Sequence, residues 1–564
     1  MRITRSIFAV GLALSLLTAC GTTKTAVNNA VSEVKIITAT DSIVPRKTDL
    51  TEVELQAWPA DNIFQDSIPG MSLGKAYEFV KDKKSTPVIV GVIDSGIDIE
   101  HEDLKDDIWT NEDEIPGNGI DDDKNGYVDD IHGWNFLGGA QGQDVPEQLE
   151  LTRIVKKWRP RFEGVSPDSV AEADKADYEL YTKLTKLIDD KKSNAANMVT
   201  RFTMIKDIVN KANDTIKKSL DGKEYNLENV NAINFEDQNL AKGKMVVMQI
   251  MDAGESVDEA FGELDEAVAH YKNQLDSQYN VDFNGRLTSD DPYDITDTNY
   301  GNGFVIGSKD DEIHGTHVAG IIAATRNNGI GMNGVANNVK ILTVRAVPDG
   351  DEYDKDIALA IRYAVDNGAK VINMSFGKSY SPNAQWVYDA IKYAASKDVL
   401  LVHAAGNDSA DIDTEDNFPN DSSDKINEFS DNVITVGAMT RHFGADLVAS
   451  FSNYGKKNVD IFAPGLEIYS TVPKDKYRFL QGTSMASPEV AGVAALVREY
   501  YPNLTASQVK HILMDSGIEF KGEVILPGGS DTDMVPFDNL SVSGRIVNAY
   551  NALLLADKIS RSKK

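Results

Sequence analysis

The sequence predicts an α/β fold: a mostly parallel sheet covered by helices on both faces, with an α-helical subdomain inserted into it. Three observations predict it. Over residues 300–555 short apolar strands alternate with helical stretches, the order that builds a parallel sheet. The strand Val88-Ile89-Val90-Gly91-Val92-Ile93 has no polar position, as a strand buried on both faces requires. Between these regions, over 145–278, the chain turns charged, poor in glycine and periodic at helical spacing.

The chain opens with Met1, Arg2 and Arg5, followed by an apolar run from Ile7 to Leu17. That run is too short to span a bilayer and suits a signal peptide over 1–19. Leu17-Thr18-Ala19-Cys20 resembles a bacterial lipobox, which implies a lipid on Cys20, the single cysteine of the chain. The reading is a lipoprotein held to a membrane through Cys20, on the extracytoplasmic side of a bacterial cell envelope. Residues 20–70 read as a tether and N-terminal extension, without a visible inhibitory prodomain.

A helix near Gly74–Lys81 and the strand from Val88 open the first part of the α/β domain, 71–144. In the insertion, Met198, Phe202, Ile205, Val209, Ala212, Ile216 and Leu220 form one apolar seam; Val257, Phe261, Leu264, Val268, Tyr271 and Leu275 form another. Helices with such seams, separated by a polar turn at Asp221-Gly222, pair as a hairpin or small bundle. The insertion serves either as decoration or as a lid, docking arm or spacer. The second part of the domain, 279–555, has strands at Val339–Val344, Val371–Met374, Val399–Val402 and Val433–Val436. Helices are expected at Asp356–Asp366 and Ala384–Lys397. Residues 556–564 read as a basic tail.

With 57 basic against 88 acidic residues the formal net charge is −31, which disfavours nucleic acid as a partner. A hydrophobic content of 41% describes a folded protein.

Three segments sit at element ends, where parallel sheets place their sites. The first strand delivers Asp94-Ser95-Gly96. His314-Gly315-Thr316-His317 opens an apolar helix, and Gly482-Thr483-Ser484-Met485-Ala486-Ser487-Pro488 opens another. Acyl transfer needs a hydroxyl nucleophile, an imidazole to carry its proton and a carboxylate to orient the imidazole. A serine at a helix start also has N–H groups beside it for an oxyanion.

Together these segments resemble the subtilisin-like serine proteases, the subtilases, in the order Asp, His, Ser, over about 85–135 and 300–555. The resemblance implies a three-layer α/β fold and a serine endopeptidase acting on protein or peptide substrates. It makes Asp94 the orienting carboxylate, His314 the general base and acid, Ser484 the nucleophile and Asn407, in Ala404-Ala405-Gly406-Asn407, the oxyanion donor. His317 is expected to pack into the core. Ser375-Phe376-Gly377 and Gly350-Asp351-Glu352 resemble the two segments that flank an extended substrate. Asp351 and Glu352 either favour basic substrate residues or pair with Lys355 or Arg362. The alternative reading of the chain is a lipid-anchored binding or scaffold protein that kept the fold without catalysis.

Asp121-Asp122-Asp123-Lys124-Asn125-Gly126-Tyr127-Val128-Asp129-Asp130 has the oxygen spacing of a calcium loop, with Asp121, Asp123, Asn125, the Tyr127 carbonyl and Asp130 as candidate ligands. Position twelve is His132, so no closing Glu follows. The subtilase resemblance implies a second structural Ca2+ site at Asp103 and Asn328, in Asn327-Asn328-Gly329-Ile330-Gly331-Met332.

Overall fold

The computed structural model describes residues 43, 46, 48–254, 256–308 and 312–562. The signal peptide and the lipidation residue Cys20 fall outside these residues. The chain divides into two compact units: one from Pro146 to Arg286, the other from the residues up to Val145 together with those from Leu287 onward.

The larger unit is built on a nine-stranded sheet. Its strands in chain order are β1 (Val88–Asp94), β2 (Gly133–Asn135), β3 (Val339–Arg345), β4 (Val371–Met374), β5 (Leu400–Ala404), β6 (Val433–Met439) and β7 (Ile461–Pro464). Two hairpins lie apart from the sheet, β8 (Ile468–Val472) with β9 (Lys476–Leu480), and β11 (Glu523–Ile525) with β12 (Met534–Pro536). The short strands β10 (Ile518–Glu519) and β13 (Arg545–Ile546) extend one edge. The spatial order is β10-β13-β7-β6-β5-β4-β1-β3-β2, parallel except where β10 meets β13. β1 lies between β3 and β4, so the strand order reverses there and opens a crevice at the carboxyl ends.

Helices α1 (Leu73–Val80), α2 (Ile313–Ala323), α3 (Asp354–Asp366), α4 (Ala384–Ser396), α5 (Thr483–Tyr500), α6 (Ala506–Ser516) and α7 (Ala549–Ser562) cover the sheet. The pleat of β1 shows the layering. Val88, Val90 and Val92 join one core with Val318, Ile322, Val490 and Leu553. Ile93 joins the other, with Ile357, Ile361, Val387 and Ile391. Alternate residues of one strand thus feed two cores, which makes the fold three-layered. α2 is buried over almost its whole length, consistent with its run of apolar and small residues.

Part of the expected tether is folded. Thr51 caps the helix Glu52–Ala57 through a capping box with Glu54. Trp58 is fully buried and its indole N–H donates to Glu467 O at 3.1 Å. The expected C-terminal tail is likewise structured to residue 562, because Ala556 and Ile559 are buried on α7.

In the smaller unit a 45-residue helix, Lys175–Ser219, carries the first seam. Val209, Ile216 and Leu220 form a core with Val230, Val247 and Val257. A third helix, Gln238–Asp252, also takes part; its Gly243 packs so tightly that an added Cβ would lie 2.6 Å from that of Ala212. Phe202 stacks on Tyr271 with ring centroids 5.9 Å apart. The turn at Asp221-Gly222 has positive φ at both residues, the conformation glycine accepts without cost.

Candidate active site

Asp94 ends β1 and is 2% exposed. Its Oδ1 accepts from His314 Nδ1 at 2.7 Å and from the Ser95 N–H at 2.8 Å. The bond fixes the imidazole with its proton on Nδ1 and leaves Nε2 as the acceptor. Burial favours the neutral ring, but the charge and hydrogen bond of Asp94 outweigh it and raise the His314 pKa. His314 keeps 39% of its side chain exposed, toward a cavity of about 280 Å3 that also involves Ser95, Val145, Pro348, Asp349 and Ser375.

Ser484 occupies the second position of α5, after Gly482, whose φ of +148° suits glycine. Its Oγ donates to Ser375 O at 3.1 Å, and no hydrogen bond joins it to His314. Bonds of this kind commonly tighten only around substrate. Pro488 lacks the N–H that would bond Ser484 O four residues back. Ser375 Oγ supplies that donor at 2.8 Å. Asn373 ties the same two segments, donating to Ser375 Oγ at 2.9 Å and accepting from Ser487 Oγ at 2.8 Å. The end of β4 and the start of α5 are therefore stitched together by side chains.

Asn407 follows β5. Its Oδ1 accepts from Thr483 N at 2.8 Å and Thr483 Oγ1 at 3.0 Å, which orients the amide and leaves Nδ2 free to donate beside Ser484. Phe376 is half-buried and Gly377 exposed, and Gly350 and Asp351 are half-buried. Glu352 departs from its expected place. It is 3% exposed, and burial raises its pKa despite the opposing charge of Lys378. Lys378 pairs with Asp354 at 2.9 Å and donates to Glu352 O at 2.7 Å. Lys355 instead pairs with Asp290 at 2.6 Å, and Arg362 lies over the Tyr393 ring. Of the two acids, Asp351 alone is partly exposed.

Comparison with known proteins decides the family. A sequence model described as "Subtilase family" matches residues 85–536. The chain belongs to the subtilase family. A thermophilic serine proteinase of Bacillus sp. (strain AK1) is 44% identical over 207 residues, 36% of this chain and 46% of that protein. The cell wall-associated protease of Bacillus subtilis (strain 168) is 40% identical over 42% of this chain and 24% of its own length. Subtilisin BL of Lederbergia lenta is 39% identical over 37% of this chain and 71% of its own length. The chain thus matches less than half the length of the first two of these subtilases.

The acidic loop folds on itself around a residue the sequence reading missed. Glu114, seven positions before Asp121, joins Asp123 and Asp130, with carboxylate oxygens within 4.8 Å of one another. Glu114 Oε1 also accepts from the Asp122 and Asp123 N–H groups, and Oε2 from Asp129 N. Asp121 accepts from Asn125 N and Gly126 N, and Asn125 Nδ2 donates to Asp123 Oδ2 at 3.0 Å and Asp130 Oδ2 at 3.1 Å. The Tyr127 ring packs against Trp134 and Tyr363. Burial raises the Asp130 pKa to about 6. An acid upstream at Asn111-Glu112-Asp113-Glu114 was the readable signal. Asp103 and Asn328 are brought together, Asn328 Nδ2 donating to Asp103 Oδ1 at 2.6 Å and Met332 N to Oδ2 at 3.1 Å.

Proposed function

We propose that the protein is a serine endopeptidase. The observation that carries this reading is the 2.7 Å Asp94–His314 bond beside a helix-starting Ser484 whose neighbour Asn407 presents a free Nδ2. Substrate lies extended between Ser375–Gly377 and Gly350–Asp351 as an added strand. Ser484 Oγ, turned from Ser375 O to His314 Nε2, gives up its proton as it attacks the scissile carbonyl. The oxyanion lies against the Ser484 N–H and Asn407 Nδ2. His314 returns the proton to the leaving amine, and water then releases the acyl group by the same path.

A fluorophosphonate probe should label the purified protein, and Ser484→Ala should abolish both labelling and peptide hydrolysis. A wild-type chain that neither labels nor cleaves would favour the binding or scaffold reading.

The donor set Glu114, Asp123 and Asp130 is made of hard oxygens without Cys or His, which suits Ca2+. Bound there, the ion would neutralise three crowded carboxylates and stabilise the loop. A chelator should lower the melting temperature of the wild type by more than that of Glu114→Gln. The Leu17-Thr18-Ala19-Cys20 sequence supports anchoring through a lipid on Cys20 in a bacterial cell envelope. Among the described residues no helix is long and apolar enough to cross a membrane. Cys20→Ser should release the protein from the membrane fraction.

A further inference from the structure

The cavity of about 280 Å3 beside His314 is larger than the acyl-transfer steps themselves require. Its walls follow from the ends of two neighbouring strands. Asp94 ends β1 and Arg345 ends β3, and the two are partners in register. Beyond Arg345 the chain passes over Asp94, whose backbone carbonyl accepts from the Ala346 and Val347 N–H groups at 3.0 and 3.2 Å. That course brings Val347, Pro348 and Asp349 onto the cavity. Pro348 is buried, Val347 half-buried and Asp349 exposed.

A third apolar wall comes from Val145, the last residue before the smaller unit, which is 5% exposed. The Asp349 N–H donates to Val145 O at 3.0 Å. Arg345 Nη2 donates to Gln143 O at 2.9 Å, and its Nε to Ser95 O at 2.7 Å. The segment 143–145 is thus fastened at both ends, which makes Val145 a fixed wall. The fastening guanidinium borders the cavity too, and Arg345 is only 3% exposed. It packs against Gly307, where an added Cβ would lie 2.7 Å from Nη2 and 2.9 Å from Cζ. Apolar walls beside a planar guanidinium favour a flat, apolar guest. Ser375 also borders the cavity, and its carbonyl holds the Ser484 hydroxyl. The space therefore opens next to the reacting serine, on the side of His314. Side chains of an extended strand alternate between two sides, so the attacked substrate residue and the one before it point in opposite directions.

Resting on the endopeptidase reading, we propose that this cavity takes the side chain of the residue just before the attacked one and selects a large aromatic there. Val145, Val347 and Pro348 are the specificity-determining residues. An alanine at that position would leave most of the space unfilled, whereas aromatic rings bury the largest apolar areas of any side chains. An acidic residue is disfavoured, because Asp94 and Asp349 border the space and Arg345 Nε and Nη2 are already engaged.

The test uses the full chain and internally quenched peptides that differ only at that residue, with the cut located by mass spectrometry. With Phe there, kcat/KM should be at least about tenfold higher than with Ala, the scale on which filling an apolar pocket discriminates. With Glu it should be lower than with Ala. Val145→Trp, which fills the cavity, should bring the Phe-to-Ala ratio close to one, and the milder Val145→Leu should lower it part of the way. Each ratio is taken within one variant, so a loss of folded protein does not move it. Ala or Glu cut as fast as Phe, or a ratio unmoved by both substitutions, would overturn the pocket and leave the endopeptidase reading standing. A chain that cuts none of the peptides would overturn that reading and the pocket with it.

Discussion

The amide of Asn407 is oriented by what its oxygen accepts. Both donors come from Thr483, whose own hydroxyl oxygen accepts from Gly406 N at 3.0 Å. Replacing Asn407 by Ala removes the Nδ2 donor without touching the Asp94–His314 pair. Turnover should fall by about 100- to 1,000-fold with little change in KM, since the donor is used only as charge develops on the oxygen. His314 predicts a pH dependence. In the proposed role of general base it must be neutral, so activity should be lost as pH falls through its pKa. Asp94 holds that pKa above the ordinary imidazole value. The acid limb of kcat/KM should therefore lie above that value. In Asp94→Asn the limb should move to lower pH and the plateau should drop. A limb unmoved by that substitution would assign it to another group.

The β8–β9 hairpin ties the helix that carries His314 to the segment that leads into Ser484. His317 Nε2 donates to Ile468 O at 3.0 Å and Arg478 O at 3.1 Å, one carbonyl on each strand. Ser470 Oγ and Thr471 Oγ1 donate to His317 O and Thr316 O, both at 2.8 Å. Gly320 lets the strand come this close, because an added Cβ would lie 2.2 Å from Thr471 Oγ1. Beyond β9 the chain runs directly into Gly482 and Ser484. Burial keeps the His317 ring neutral, with its pKa lowered to about 3. We therefore expect His317 to be a positioning residue. His317→Leu should lower kcat by up to about a hundredfold, the scale on which small misplacements act, with KM preserved. His317→Gln, which keeps a donor, should restore most of it. A Leu variant that loses thermal stability alone would reduce the hairpin to packing. Asp94, His314 and Ser484 were legible because each ends or opens a strongly apolar element. The hairpin was not, because Lys476-Tyr477-Arg478-Phe479-Leu480 alternates on a half-exposed surface and reads as loop. Glu114 was missed for another reason. Its contact with Asp123 and Asp130 is made only when the turn closes. Thr51 and Glu54 did spell a capping box, a signal the tether reading passed over.

At the scale of the molecule, each of the two units packs on clusters of its own. The seam of the smaller unit is satisfied among Val209, Ile216, Val230 and Val247, while the sheet packs through its own two clusters. Where the chain rejoins the larger unit, Leu287 lies against Gly139, since an added Cβ there would be 2.9 Å from Leu287 Cδ1. Gly139 is only a short loop away from Val145, where the chain departs. A short glycine-serine linker can therefore replace residues 146–286 without stretching the sheet. The larger unit should then fold and unfold cooperatively, and Ser484 should still take a fluorophosphonate label. If the helical unit restricts what reaches the cleft, short peptides should be cut at an unchanged rate and folded proteins faster than by the full chain. Equal rates on both substrates would make the unit a decoration. Loss of cooperative unfolding would show instead that the larger core depends on it.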